Sequence, residues 1–189
     1  MQRAMLLFIA IMVTVLLPAA TKEPQTYRNE EFGITLPVPE GTVLCPTPKG
    51  EHDHGAAILL GTNGGKACSD LAHGRRIDIF AGPNASYVTK ELRDYLKWEC
   101  TYGVKSPCLP APGNLEIAGL PSMAGRMNHP DGWIDIVVVT QAGKPDPAFD
   151  ASVPSLNYDL SLHTTSAHLK DDLPIFREVL KTIKLSPTP

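Results

Sequence analysis

Apolar and polar residues alternate in several short stretches of the chain, and this period of two predicts β-strands. Residues 32–36, 76–81 and 158–165 each place apolar side chains on one face, and shorter strands are predicted over 56–61, 115–119 and 122–127. Residues 133–141 instead form a nearly continuous apolar run with three consecutive valines. Such a run is typical of a strand buried on both faces, so we expect it inside a sheet.

Two segments repeat their apolar residues at helical spacing. The first predicts a helix over residues 86–99, with an apolar side formed by Val88, Leu92, Tyr95 and Leu96. The second predicts a helix over residues 171–182, with Pro174 in its first turn, where proline is tolerated. Asp171 and Asp172 are expected to cap this second helix rather than to act as an acid–base pair.

The order of these segments predicts the fold class. Strands precede and follow the first helix, and hairpin-length connections between strands favour antiparallel pairing. The 18 prolines fall mainly between the predicted elements, and they stiffen the long loops over residues 45–55, 101–113 and 143–154. The sequence therefore predicts an α+β domain in which two helices pack on a mostly antiparallel sheet.

The N-terminal residues have the pattern of a secretory signal peptide. Arg3 is followed by the apolar run 5–17, which is short for a membrane span of about 20 residues, and then by small residues. An uncleaved N-terminal anchor is the alternative. We expect a secreted or periplasmic protein without stable membrane insertion after cleavage, with a signal peptide over 1–20, a flexible leader over 21–26, a single domain over 27–186 and a C-terminal tail over 187–189.

The charge pattern excludes one class of partner. The formal net charge is −3 at neutral pH, and no run of lysine or arginine interrupts the mixture of charges. A protein that binds nucleic acid or an anionic membrane surface needs a basic patch. We therefore expect no nucleic-acid partner.

Four cysteines, Cys45, Cys68, Cys100 and Cys108, are expected to form two disulfides in an oxidising compartment. Three pairings are possible, and the short sequence separations favour Cys45 with Cys68 and Cys100 with Cys108. A zinc site would need closer pairs such as C-x-x-C, and a catalytic thiol would need an unpaired cysteine.

His52 and His54 are the candidate metal ligands. In an extended segment both imidazoles point the same way, so they could bind one zinc or copper ion with a third ligand from His73, His129, His163 or His168. The competing interpretation is a solvated polar turn. We favour the turn, because two ligands without a fixed third make a weak site.

No catalytic motif is complete in the chain. The Gly-x-Ser-x-Gly elbow of serine hydrolases is missing, and Gly61–Lys66 lacks the ending of a phosphate-binding loop. We therefore expect neither catalytic activity nor a cofactor.

Residues 27–41, Tyr-Arg-Asn-Glu-Glu-Phe-Gly-Ile-Thr-Leu-Pro-Val-Pro-Glu-Gly, resemble the opening of PsbP-like and DcrB-like domains. The end of the chain is also similar, with a strand over 158–165, a polar break, a helix over 173–182 and a terminal Ile-Lys-Leu. The resemblance covers residues 27–185 and implies an α/β/α sandwich around a mostly antiparallel sheet. Such domains are mostly non-enzymatic envelope lipoproteins, photosystem accessory subunits and secretion chaperones.

These observations together predict a non-catalytic binding or accessory protein that acts through a protein–protein surface. A protein of the cell envelope is the expected partner, as for an immunity or escort protein. The proline-stiffened loops are the expected contact surface. The alternative is a metal-binding protein, or a metal-dependent enzyme, that uses His52 and His54.

Overall fold

In the computed structural model of the chain, the described residues are 25–46, 54–61, 68–71, 73–83, 91–101, 107–142 and 155–186. Their strands are β1 (Thr26–Asn29), β2 (Ile34–Pro37), β3 (Val43–Pro46), β4 (Gly55–Leu59), β5 (Arg76–Pro83), β6 (Leu109–Pro110), β7 (Ser122–Asn128), β8 (Trp133–Ala142), β9 (Leu156–Thr165) and β10 (Lys184–Leu185). The helices are α1 (Leu92–Thr101) and α2 (Leu169–Thr182), and a short 3-10 helix covers Cys68–Asp70. Within these residues, no helix has the length and apolarity that crossing a bilayer requires.

The strands form two antiparallel sheets. Seven strands pair in the order β3-β4-β5-β9-β8-β7-β6, and a small sheet has the order β1-β2-β10. The predicted α+β class, with a mostly antiparallel sheet and two helices, is confirmed. β8 lies inside the large sheet, and its three valines, Val137, Val138 and Val139, are all buried, as expected for the apolar run.

One face of the large sheet is covered by α2 and the small sheet, and we call it the sealed face. Its side chains come from alternate positions of the central strands, namely Ile77, Ile79, Ile134, Ile136, Val138, Tyr158, Leu160 and Leu162, and all are buried. Phe176 and Val179 of α2 and Leu36 of β2 pack into the same cluster. Each large apolar side chain buried here stabilises the fold by about 1.5–3 kcal/mol.

Asp172 holds α2 against the sheet instead of capping it. The residue before α2 is His168, which makes no side-chain capping hydrogen bond. Asp172 lies on the buried stripe of the helix, where Arg75 donates to both of its carboxylate oxygens at 2.7 and 2.9 Å. Thr164 Oγ1 also donates to Asp172 Oδ2, at 2.5 Å. The capping role expected for Asp172 is therefore wrong, because the periodicity of the helix turns this carboxylate inward.

α1 packs on the other face of the sheet. Tyr95, Leu96 and Cys100 of α1 contact Met127 of β7, together with Val137 and Val139 of β8. These valines alternate with the β8 residues of the sealed face, and alternate residues of a strand point to opposite faces. The two helices therefore lie on opposite faces of β8.

Several boundaries differ from the prediction. The loop predicted over 45–55 overlaps β3, an edge strand that ends in Pro46, a position where proline is tolerated. Residues 115–119 form no strand, because Ala118 has a φ of 53° and donates its N–H to the Leu180 carbonyl at 2.8 Å. β1 begins at Thr26, one residue inside the expected leader.

Other predictions fall outside the described residues. They include the signal peptide, the whole loop over 143–154 and parts of the loops over 45–55 and 101–113, since residues 1–24, 47–53, 102–106 and 143–154 are not described. The first helix is predicted over residues 86–99; the structure describes it from Leu92 to Thr101, and residues 84–90 also lie outside.

Candidate functional site

The face of the large sheet that carries α1 is only partly covered, and its uncovered part is a band of polar side chains. The band runs across neighbouring strands, because Arg76 of β5 pairs with His163 of β9, and His163 pairs with Asp135 of β8. We call this band the open strip, and it consists of Arg76, Asp78, Phe80, Asp135, Ser161 and His163. Five of them are half-buried, and Phe80 is 43% exposed.

Two disulfides brace the sides of the open strip. Cys45 is bonded to Cys68, and Cys100 to Cys108, with Cα–Cα distances of 5.4 and 5.5 Å, so the pairing that the sequence favoured is confirmed. The first bond joins a small apolar cluster on β3 and β4. The second ties the end of α1 to the residue before β6, above Gly125 of β7. Each side of the open strip therefore contains one disulfide.

Asp135 is hydrogen-bonded to two histidines at one end of the open strip. His163 Nδ1 lies 2.5 Å from Asp135 Oδ1, and His129 Nε2 lies 2.7 Å from Asp135 Oδ2. Burial favours the neutral form of Asp135, but the hydrogen bonds and charges of the two histidines outweigh it and lower the pKa of the carboxyl. An ionised Asp135 accepts both bonds, so each histidine donates from the nitrogen that faces it.

A cleft of about 280 Å³ opens beside this cluster and is lined by His73, His129, Asp131, Trp133 and His163. Trp133 stacks on His163, with ring centroids 4.2 Å apart and an interplanar angle of 8°. The stack and the shared carboxylate fix the orientation of the imidazole. Among the described residues, no three histidine, cysteine or carboxylate side chains are arranged to hold a metal ion.

A second carboxylate of the same face, Asp159, lies beneath α1. Tyr95 Oη donates to Asp159 Oδ2 at 2.8 Å, and Asp159 is buried. Burial raises the pKa of Asp159 to about 8, with further contributions from the charges of Glu99 and Asp78, while the Tyr95 hydrogen bond opposes the shift. Burial also raises the pKa of Glu99, and it raises that of Asp78 against the opposing effect of Arg76. We call Asp159, Tyr95, Glu99 and Asp78 the acid cluster.

The predicted metal ligands are placed only in part. His54 lies between the rings of Phe32 and Phe80, at centroid distances of 5.5 and 5.3 Å, and its Nδ1 lies 3.0 Å from the Ala81 carbonyl oxygen. His52 lies outside the described residues, so the metal hypothesis stays a prediction.

Three of the four histidines considered as a third ligand, His73, His129 and His163, lie away from His54. His163 pairs with Arg76 at one end of β5, whereas His54 bonds to Ala81 near the other end. His73 and His129 share the cleft with His163. These three histidines therefore lie together at the end of β5 that is away from His54.

Sequence reasoning missed the open strip and the acid cluster. The alternation of β5 and β9 by itself predicts ordinary solvent-facing residues at the polar positions. A signal was present, since Asp78, Asp135, Asp159 and His163 all alternate with buried residues in long strands. Only the strand pairing shows that they meet on one face.

No family model and no curated protein sequence matches the chain. The structure is similar to the solution structure of cyanobacterial PsbP (CyanoP) from Synechocystis sp. PCC 6803, with a TM-score of 0.52 and 9% sequence identity. The similarity covers 92% of this chain and 99% of that one. The chain therefore has a PsbP-like fold, as the resemblance predicted, while nothing found supports the DcrB-like part.

Proposed function

We propose that the protein is a non-catalytic accessory protein, secreted or periplasmic, that binds a protein partner of the cell envelope through the open strip. The observation that carries this proposal is the asymmetry of the large sheet. One face is sealed by α2 and the small sheet, whereas β5 and β9 leave charged and aromatic side chains accessible on the other.

The chemistry of the strip suits a protein interface. Phe80 is 43% exposed on the strip and Trp98 is 47% exposed on α1, which forms one side of it. Aromatic residues supply much of the binding energy at the centres of interfaces, and charged neighbours give specificity. Arg76 donates to both oxygens of Asp78 at 2.8 and 3.0 Å, which holds these side chains in place before binding. Such preorganisation lowers the entropy lost on association.

The non-catalytic part of the proposal rests on the sequence, in which no catalytic motif is complete. The PsbP-like fold is compatible with an accessory role, although a fold by itself does not specify a function. The location is supported by the signal-like N-terminus and by two disulfides, which persist in oxidising compartments.

The test is site-specific photo-cross-linking in the native host. Benzoylphenylalanine would replace Phe80 in one variant and Leu109 in another, because Leu109 is similarly exposed at 41% but lies on the edge strand β6, away from the strip. We expect export of both variants and one dominant cross-linked protein from position 80 only. Competition with an excess of purified wild-type protein should abolish that cross-link.

A cross-link of equal strength and identity at both positions would contradict the open strip as the contact surface. Retention of the protein in the cytoplasm would contradict the proposed location. Turnover of a small substrate that persists in Phe80→Ser and needs no partner would contradict the accessory role.

A further inference from the structure

α1 is held on the sheet by contacts of different chemistry at its two ends. Near its C-terminal end, the disulfide between Cys100 and Cys108 packs against Gly125 of β7. One and a half turns earlier, Tyr95 reaches across to β9 and donates to Asp159 at 2.8 Å. The disulfide tethers this end of α1 to the residue before β6, so an opening of α1 that leaves the disulfide in place lifts the other end and breaks the contact between Tyr95 and Asp159.

The groups that face Asp159 are mostly acidic. Glu99 comes from α1 and Asp78 from β5, and both act electrostatically on Asp159. On the β8 side, Asp159 pairs with Val139, which carries no charge. Within the described part of the chain, Arg76 forms an ion pair with Asp78, but no lysine or arginine forms one with Asp159 or Glu99. Two or three ionised carboxylates repel one another strongly in a site that is partly shielded from water.

We infer that the acid cluster is a pH-sensitive latch that keeps α1 docked on the sheet in acid and loosens it at alkaline pH. When Asp159 carries a proton, the cluster loses one negative charge and the Tyr95 hydroxyl has a neutral acceptor. When Asp159 and Glu99 are both ionised, repulsion acts between β9 and α1. Movement of α1 about the disulfide at Cys100 separates the charges and admits water.

The direction of the effect follows from the raised pKa of Asp159, which is about 8 in the folded protein. In the opened or unfolded chain an aspartate ionises near pH 3.9. Between these two pH values, Asp159 keeps a proton in the docked state that it loses in the opened state. The free-energy advantage that this proton gives the docked state is therefore complete below about pH 4, and it is lost as the pH rises through about 8. Since α1 forms one side of the open strip, the latch also controls the width of the strip, but its existence does not depend on any partner.

The experiment is hydrogen exchange of the purified protein between pH 5 and 9, expressed as protection factors corrected for the intrinsic pH dependence of exchange. In the wild-type protein, protection of the α1 amides should fall with rising pH, by at most about tenfold per pH unit. Amides of β8, an interior strand, exchange through global unfolding, which also exposes Asp159, so their protection should fall with the same slope but stay well above that of α1. Protection of α1 equal to that of β8 at every pH would show that α1 opens only when the whole domain unfolds.

Asp159→Asn keeps an acceptor oxygen for Tyr95 but cannot ionise, so the pH dependence at α1 should disappear. If this variant fails to fold, Glu99→Gln provides a milder test and should reduce the loss of protection. Asp135→Asn is the matched control, because it removes a carboxylate of the same face that is balanced by two histidines. It should leave the response of α1 unchanged.

A pH-independent protection of α1 in the wild-type protein would overturn the inference. So would an Asp159→Asn variant that retains the full loss of protection. None of these readouts involves a partner, so the latch and the proposed binding function can fail independently.

Discussion

Leu160 and Ser161 are neighbours on β9, yet they end in opposite environments. Leu160 points into the sealed face and is fully buried, in contact with the cluster that includes α2. Ser161 points to the open strip and is half-buried between Asp78 of β5 and Val137 of β8. The same strand therefore stabilises the fold with one side and leaves the other side available for recognition.

The two faces also differ in how they treat carboxylates. On the sealed side, the buried Asp172 accepts from Arg75 Nη1 at both carboxylate oxygens and from the Thr164 hydroxyl. On the other side, Asp135 is balanced by two histidines, whereas Asp159 has, among the described residues, Tyr95 as its one side-chain hydrogen-bond donor and two acidic neighbours. The pKa of Asp135 is consequently lowered and that of Asp159 raised, although both lie on one face. Burial raises the pKa of both carboxyls, and at Asp135 the hydrogen bonds and charges of the two histidines outweigh it.

The largest predicted effect comes from breaking the sealed face. Leu160→Ala should lower the free energy of unfolding by about 2–5 kcal/mol, because it removes buried methyl groups and leaves a cavity. Ser161→Ala, one residue along, should change it by less than about 0.5 kcal/mol. Urea denaturation followed by far-UV circular dichroism measures both. Equal losses in the two variants would show that the second face is as tightly packed as the first.

Substitutions in the part of the sheet that α1 covers should lower the free energy of unfolding less than those in the sealed face, but more than those in the open strip. A Cβ on Gly125 would overlap Cys108 Sγ and lie 3.0 Å from Cys100 Sγ, so Gly125→Ala should destabilise the fold by about 1–3 kcal/mol. The matched control repeats the change in a Cys100→Ala/Cys108→Ala background, where both sulfur atoms are gone. Thermal unfolding should show a much smaller penalty there. A penalty of the same size in both backgrounds would place its cause elsewhere in β7.

The alternation of β9 was enough to predict which of its side chains are apolar and buried, and Tyr158, Leu160 and Leu162 are confirmed on the sealed face. It did not predict that Asp159 is buried as well. Asp159 is covered by Tyr95, which is 64 residues away in sequence. A local sequence pattern cannot predict a contact between residues so far apart. An alternating pattern predicts which face of a strand is apolar, but it does not predict which residues pack on the opposite face.

The histidine cluster was unpredictable for a related reason. Asp135 and His163 are 28 residues apart and meet only because β8 and β9 pair in one particular register. A shift of one residue would turn His163 to the sealed face. The disulfides, in contrast, link residues separated by only 23 and 8 positions, and local spacing was sufficient to favour them. Sequence reasoning thus succeeded for local links and for apolar periodicity, and it failed where strand register determines the site.

The smallest predicted effect concerns Asp135 at the end of the open strip. The pKa of Asp135 is lowered in the folded protein, so its stabilising contribution is present above the unfolded value of about 3.9 and is lost as the pH falls through the lower folded value. Asp135→Asn should therefore cost about 1 kcal/mol at pH 6.5, where the ionised carboxylate accepts bonds from His129 and His163, and clearly less at pH 3. Asp131→Asn, in the same hairpin but exposed, is the control and should cost less than about 0.5 kcal/mol at either pH. Denaturant midpoints at the two pH values measure all three proteins. If Asp135→Asn costs the same at pH 3 as at pH 6.5, the charge of the Asp135 carboxylate does not contribute to stability. The pKa values of Asp135 and Asp159 would then not differ in the direction described above.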